Sequence, residues 1–238
     1  MAGVTNRTLL PRGWRAFALL VWVVAAVVLA ALSWHFAHAP ATDGPDTAVG
    51  TRLTSRLGPH AHLFTTAARL GSPAAVAAGS VFLGLSCLAV RRVRGAVFSF
   101  VAAPLAGATT ELVLKPAVHR ASHVDALMFP SGHTTGAFAL ALTVVVLVLP
   151  REDTTLLPAF GRLLLAVAAL AAAAVVAVSV VVLGWHYVTD TIGGAATAVV
   201  VVVAAAAAVD AAAAVMSWKK GAAATRPAGS PPRVYNAP

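Results

Sequence analysis

Apolar stretches almost free of charge divide the chain at roughly residues 16–34, 73–90, 96–114, 132–149, 163–183 and 191–209. Each runs for about 18 to 21 residues, enough at ~1.5 Å rise per residue to cross the ~30 Å hydrocarbon core of a bilayer. No period-two alternation of apolar and polar residues runs through them. An open sheet edge would leave backbone groups unpaired in lipid, so helices are the expected elements. The fourth stretch reaches full length if its helix opens near Ser131. The pattern predicts an all-α bundle of six transmembrane helices within residues 1–215. Between the first two stretches, Leu53, Leu57, Leu63, Phe64 and Leu70 recur at roughly helical spacing, which predicts a segment lying on the membrane surface. His35, His38, His60 and His62 have no acidic partners at ligand spacing there and are expected to be solvated. Residues 216–238, rich in Ala, Gly and Pro from Gly221 onward, are expected to form a disordered basic tail.

Charge adds a direction. Arg7, Arg12, Arg15, Arg91, Arg92, Arg94, Arg151, Arg162, Lys219, Lys220, Arg226 and Arg233 fall on one side of this arrangement. Arg52, Arg56, Arg69, Lys115 and Arg120 fall on the other, twelve against five. Positive residues stay inside, so a multi-pass cell-membrane protein with both termini cytoplasmic is expected. The net charge of +9 is explained by these clusters between apolar runs, and nucleic acid is not an expected partner. At 59% hydrophobic and 11% charged residues, the composition excludes an ordinary soluble domain. Cys87 is the single cysteine, inside an apolar run, which excludes a disulfide framework or a Cys-based metal site. Arg7, Arg12 and Arg15 before the first stretch, with Ala37-His38-Ala39 after it, also fit a cleaved signal peptide. That apolar run exceeds the ~7–15 residue core of a signal, so a retained signal-anchor helix is expected.

Two short motifs carry candidate chemistry: Phe129-Pro130-Ser131-Gly132-His133, and His186-Tyr187-Val188-Thr189-Asp190 beginning 53 residues after His133. Followed through the spans, Lys115, Arg120, His133, His186 and Asp190 reach one membrane face, the outer one. A phosphate ester carries up to two negative charges that must be neutralised before a nucleophile approaches. Lys115 and Arg120 are the candidate cations. Ser131 and Gly132 open a helix whose unpaired N–H groups and positive dipole end favour an anion, and glycine permits close backbone approach. Asp190, one turn after His186, is placed to accept one ring N–H and leave the other nitrogen free to attack phosphorus. His133 is the candidate acid for the leaving oxygen. Glu111, four residues before Lys115, reads either as an ordinary ion pair or as the group that positions Lys115. His119, His123 and Asp125 superficially resemble a metal site but lack a further ligand. Trp185 and Tyr187 read as interfacial anchors or substrate contacts, and Asp210 as an inner-end residue just reaching water.

At these residues the chain resembles the type 2 phosphatidic acid phosphatase superfamily, through Pro130-Ser131-Gly132-His133 and His186-x3-Asp190. The resemblance covers the motif region and the six-span layout, and implies a bundle of the haloperoxidase-like kind. It implies His186 as a phosphohistidine nucleophile, Asp190 as its orienting partner and His133 as general acid. Lys115, Ser131 and Gly132 become phosphate ligands. No metal and no cofactor is implied, and the implied substrates are lipid phosphates within the membrane: phosphatidate, phosphatidylglycerophosphate, or polyprenyl mono- or diphosphates. This chain departs from the family pattern twice. Its first motif is typically Lys-x6-Arg-Pro, whereas Arg120 follows Lys115 after four residues with no proline after it. The third-motif arginine, six residues before the histidine, is replaced by Val180. Loss of one charge-assisted donor at a developing anion costs about 10²–10³ in rate, unless Arg120, His119, His123 or an outer-loop arginine fills the place. The alternative is a non-catalytic protein that binds lipid phosphates. A transporter is a third reading, disfavoured because no paired Gly/Pro-broken helices occur in matching halves.

Overall fold

The computed structural model describes residues 8–38, 45–120, 127–149 and 158–224, and the elements found among them are helices. Helix α1 spans Arg12–His38, α2 Pro45–Leu57, α3 Ala61–Ala68 and α4 Pro73–Ala89. Helix α5 (Val93–Thr109) continues through a π turn, Thr110–Leu114, into α6 (Lys115–Val118). Then come α7 (Gly132–Val148), α8 (Ala159–Val182) and α9 (Val188–Ala224). The caps explain several boundaries. Ser72 accepts the Ala75 amide at 3.3 Å just before Pro73, the residue that opens a helix best because it has no N–H to waste. Ser131 accepts the Thr134 amide at 3.4 Å and starts α7. The π turn has a cause in Pro116: it offers no N–H to Leu112 and its ring crowds that carbonyl, so the preceding turn widens.

Helix α7 is the hub, packed against α4, α5, α8 and α9. Its contacts are made by small residues. Ala102, Ala103 and Ala106 of α5, Ala139 of α7, and Ala198, Val202 and Ala206 of α9 form one cluster, all essentially inaccessible. Small side chains let helix backbones approach closely where lipid supplies no hydrophobic drive for association. Large apolar side chains point the other way: Phe17, Leu20, Val27, Phe82, Leu112, Phe160 and Leu163 are exposed. That outward belt is what a lipid-facing surface requires.

Among the described residues, four helices are long and apolar enough to cross a membrane, Arg12–His38, Val93–Val118, Ala159–Val182 and Val188–Trp218. A fifth span results if Asp46–Gly71 and Pro73–Ala89 count together across a 51° bend. The sixth expected span, α7, is 17 residues long. Six full-length spans are therefore not all found by length, and the reason is position. A helix enclosed by four neighbours meets little lipid and need not match its thickness. The long connection at 35–72 also differs from a simple surface segment. Helices α2 and α3 pack on α8, with Thr54 donating to the Val182 carbonyl at 3.0 Å. His35, His38, His60 and His62 are exposed, as expected. Helix α9 continues through Ala224, beyond the expected start of the tail at residue 216; residues 225–238 lie outside the described residues.

Asp210 does more than reach water. It accepts the Leu9 amide at 2.8 and 2.9 Å and the Leu10 amide at 3.0 Å, and it lies 3.6 Å from Arg94. One carboxylate thereby joins the start of α1, the start of α5 and the far part of α9, at the end of the bundle away from the motifs. Asp210→Ala removes these shared contacts between three helices, at a cost of about 2–3 kcal/mol. The expected outcome is a lower melting temperature in detergent and faster hydrogen exchange at Leu9 and Leu10.

Candidate active site

His186 is delivered by the way α8 ends. Gly184 adopts φ +70°, its amide meets the Val181 carbonyl at 3.0 Å, and the Trp185 amide meets the Val180 carbonyl at 2.9 Å. This is the six-to-one and five-to-two bond pair of a helix stopped by a left-handed residue. The His186 amide reaches the same Val180 carbonyl at 3.2 Å. Val180 is fully buried, so the position where the resemblance leads one to expect an arginine holds a core residue whose backbone props the histidine. A side chain at Gly184 meets no neighbour, but the left-handed backbone penalises any Cβ by ~1–2 kcal/mol. Gly184→Ala should lower the melting temperature by a few degrees and reduce turnover more than it changes KM, because His186 loses its fixed departure from α8.

Asp190 is the third residue of α9 and is inaccessible. Its Oδ2 accepts the Tyr187 amide at 2.9 Å, reaching back over the first turn as a capping acid does. The same oxygen faces His186 Nδ1 at 3.6 Å. The two expected partners are thus adjacent but not within hydrogen-bond distance, and Nδ1 has no other partner among the described residues. Its Oδ1 is taken by Arg120 at 2.6 Å.

Arg120 is the main correction to the sequence reading. It is 2% exposed and lies behind the cavity rather than in it. Its guanidinium bonds Asp190, the Thr189 hydroxyl at 2.9 Å and Asp46 at 3.2 Å. Phe36 lies 3.7 Å from it on one side and the Tyr187 ring 4.5 Å on another. A buried and a partly buried carboxylate together demand a planar cation with several donors, and aromatic faces complete its surroundings. Asp46 also accepts the Thr189 amide at 3.1 Å and forms a short bond with the Thr189 hydroxyl, so it caps α9 as well. Ser131 is corrected in the same sense. It is fully buried, its hydroxyl caps α7, and its amide donates to the Asp190 carbonyl at 3.0 Å. It shapes the site from behind and does not line it.

The groups that do face one space are Lys115, Gly132, His133 and His186. They line a cavity of about 780 Å³ together with Glu111, Met128 and Trp185. Its remaining wall is apolar: Val76, Ala77, Ala103, Pro104, Gly107 and Leu112. The His133 ring stands 5.6 Å from the Trp185 ring, which brings Trp185 into the site rather than leaving it a remote anchor. Gly71 abuts the His133 carbonyl, 2.5 Å from where a Cβ would sit, and Gly194 likewise comes within 2.7 Å of the Ser131 carbonyl. These approaches seat the start of α7 between α9 and the turn before α4. Thr110 of the π turn donates to Thr135 at 3.1 Å and so locks the Lys115 side of the cavity to α7.

Lys115 is the cation lining this cavity among the described residues. Its Nζ lies 2.8 and 2.9 Å from the two oxygens of Glu111. His119 ends α6 with φ +56°, its ring bonded to the Pro116 carbonyl at 3.0 Å, while His123 and Asp125 lie outside the described residues. No group of three His, Cys, Asp or Glu side chains among the described residues could hold a metal ion. Sequence reasoning missed Asp46, Thr189 and Phe36. Nothing in their spacing announces that they meet Arg120; only an acid in the first turn of α2 hints at a capping role.

Long apolar helices with an outward hydrophobic belt define a membrane protein, and its cavity is polar at one end and greasy along the rest. The family model of the PAP2 superfamily matches residues 16–214, and the chain belongs to that superfamily. Membership points to phosphatase chemistry on lipid-like substrates. No curated protein and no solved structure gives a match.

Proposed function

We propose that the protein is an integral membrane phosphatase that hydrolyses lipid phosphate esters or diphosphates through a phosphohistidine. The observation that carries this reading is the shared cavity: Lys115, Gly132, His133 and His186, from three separate parts of the chain, surround one space whose other wall is apolar. The headgroup binds at the start of α7 beside Lys115, where cation and helix dipole neutralise its charge. The tail lies along Val76, Ala103 and Gly107. His186 Nε2 attacks phosphorus while the Nδ1 side turns toward Asp190, and the ester oxygen leaves with a proton from His133. Water then attacks the phosphohistidine, giving its proton to His133 and releasing phosphate. Arg120 and Asp46 hold Asp190 in place and do not touch the substrate.

Twelve basic residues against five support cytoplasmic termini and a site at the outer face. Phe36, which stacks on Arg120, supports a retained α1, since removing that helix would uncover the buried guanidinium. Inorganic phosphate release by detergent-purified protein from phosphatidate, phosphatidylglycerophosphate and polyprenyl diphosphate, with and without chelator, tests the reading. Turnover of at least one lipid that survives the chelator is expected, and failure on all of them would refute it.

A second reading, a lipid-phosphate binder without catalysis, is favoured by one observation. No arginine among the described residues lines the cavity to replace the one whose position Val180 occupies. Retention of labelled lipid phosphate without any release separates the two readings.

A further inference from the structure

Glu111 lies where an anionic ligand would be expected to bind. The space that a Cβ on Gly132 would need is filled by its Oε1, so the carboxylate is pressed against the start of α7. Both of its oxygens are on Lys115 Nζ, at 2.8 and 2.9 Å, and that ammonium stands 4.0 Å from the same Gly132 position. Within the first turn of α7, the Thr134 amide is taken by the Ser131 hydroxyl and the Thr135 amide by the Ser131 carbonyl at 2.9 Å. The amides of Gly132 and His133 are the remaining donors of that turn, next to the carboxylate. A negative group, a cation and a helix N-terminus therefore already form a complete set without any substrate.

We infer that Glu111 is an internal competitor for the phosphate locus: in the free protein its carboxylate occupies the place that an incoming phosphate must take. This rests on reading the cavity as a phosphate site, and it adds a residue that sets how strongly that site holds anions. The carboxylate has somewhere to go. Its side chain is 51% exposed, and it projects from the widened turn Thr110–Leu114 rather than from a regular helix. Once it swings toward solvent, Lys115 and the start of α7 face the phosphate instead. A lipid offsets that displacement by burying its tail along Val76, Ala103 and Leu112. Free phosphate has no tail and must displace the carboxylate by charge alone, so the product leaves readily.

The simpler role, in which Glu111 merely steers Lys115, makes the opposite prediction, and the sign of one substitution decides. Titration of orthophosphate into the full-length purified protein is compared with Glu111→Gln, which keeps the side-chain shape and removes the charge, and with Glu111→Asp, which keeps the charge but withdraws it by one methylene. Melting temperatures confirm that both variants are folded. Glu111→Gln is expected to bind orthophosphate about tenfold more tightly and to be inhibited by it correspondingly more during lipid turnover, since a like charge has gone. Glu111→Asp should fall between the two. Weaker binding by Glu111→Gln would show a steering role, and unchanged binding an ordinary ion pair; either result overturns the inference. Absence of orthophosphate binding by every form, with lipid turnover intact, overturns it too and leaves the phosphatase reading standing. Loss of both binding and turnover removes the phosphatase reading itself.

Discussion

His186→Ala is expected to abolish phosphate release from every lipid substrate, a loss on the order of 10⁴-fold or more in kcat. The residue is reached by the cavity on one side and by Asp190 on the other, and among the described residues no other side chain offers a nitrogen in that position. In the proposed mechanism this variant loses its nucleophile and the covalent step while the lysine and the start of α7 stay undisturbed, so lipid binding should persist. Trp185 beside the His133 ring supplies a fluorescence reporter for that binding. Undiminished turnover by the variant removes the phosphohistidine route. His133→Ala should behave differently, with its deficit shrinking on esters whose leaving group needs no proton. Phosphatase assays with alkyl and nitrophenyl phosphates of matched tail length check that contrast.

The second large effect is on Arg120. Arg120→Met leaves Asp46 and Asp190 facing each other with no cation between them, in surroundings where Arg120 is 2% and Asp190 0% exposed. Breaking a buried ion pair by removing one partner costs about 3–5 kcal/mol, because an uncompensated charge stays behind. The melting temperature should fall steeply, and turnover with it as Asp190 loses its place beside His186. Arg120→Lys is not expected to rescue the protein, since a point charge cannot bond Asp46, Thr189 and Asp190 together while lying between Phe36 and Tyr187. A second-site Asp46→Asn should restore part of the stability of Arg120→Met by removing one stranded charge. Were Arg120 a phosphate ligand instead, the substitution would raise KM and leave the melting temperature alone. Thermal denaturation and kinetics on the same preparations distinguish the two.

Much of the architecture was legible from local pattern. Apolar runs free of charge mark α1, α5, α8 and α9, because a helix facing lipid must be greasy over its length whatever its neighbours are. Ser131 was legible as a helix opening, since a capping serine acts on its own next turn. Helix α7 was legible too, since the run expected at 132–149 is found as Gly132–Val148; what the run does not announce is that four neighbours enclose it. The site was legible in its chemistry and less so in its roles. Lys115, Gly132, His133 and His186 do meet at one cavity. Arg120 and Ser131 stand behind it, because the terminal nitrogens of Arg120 bond Asp46, Thr189 and Asp190 while Ser131 caps α7 and donates its amide to Asp190.

The amino-acid sequence alone determined that the chain is helical and apolar enough for membranes, and it singled out two histidines, a lysine and a glycine as the candidate groups for phosphate. Those properties come from residue type and short-range spacing. Tertiary structure decided which cation lines the cavity, Lys115, and which is buried among protein partners, Arg120. Arg120 and Asp46 are 74 positions apart, and Arg120 and Asp190 are 70 apart. Ion pairing depends on a few ångströms between helix ends, and only the packing of α1 and α2 against α9 sets that distance.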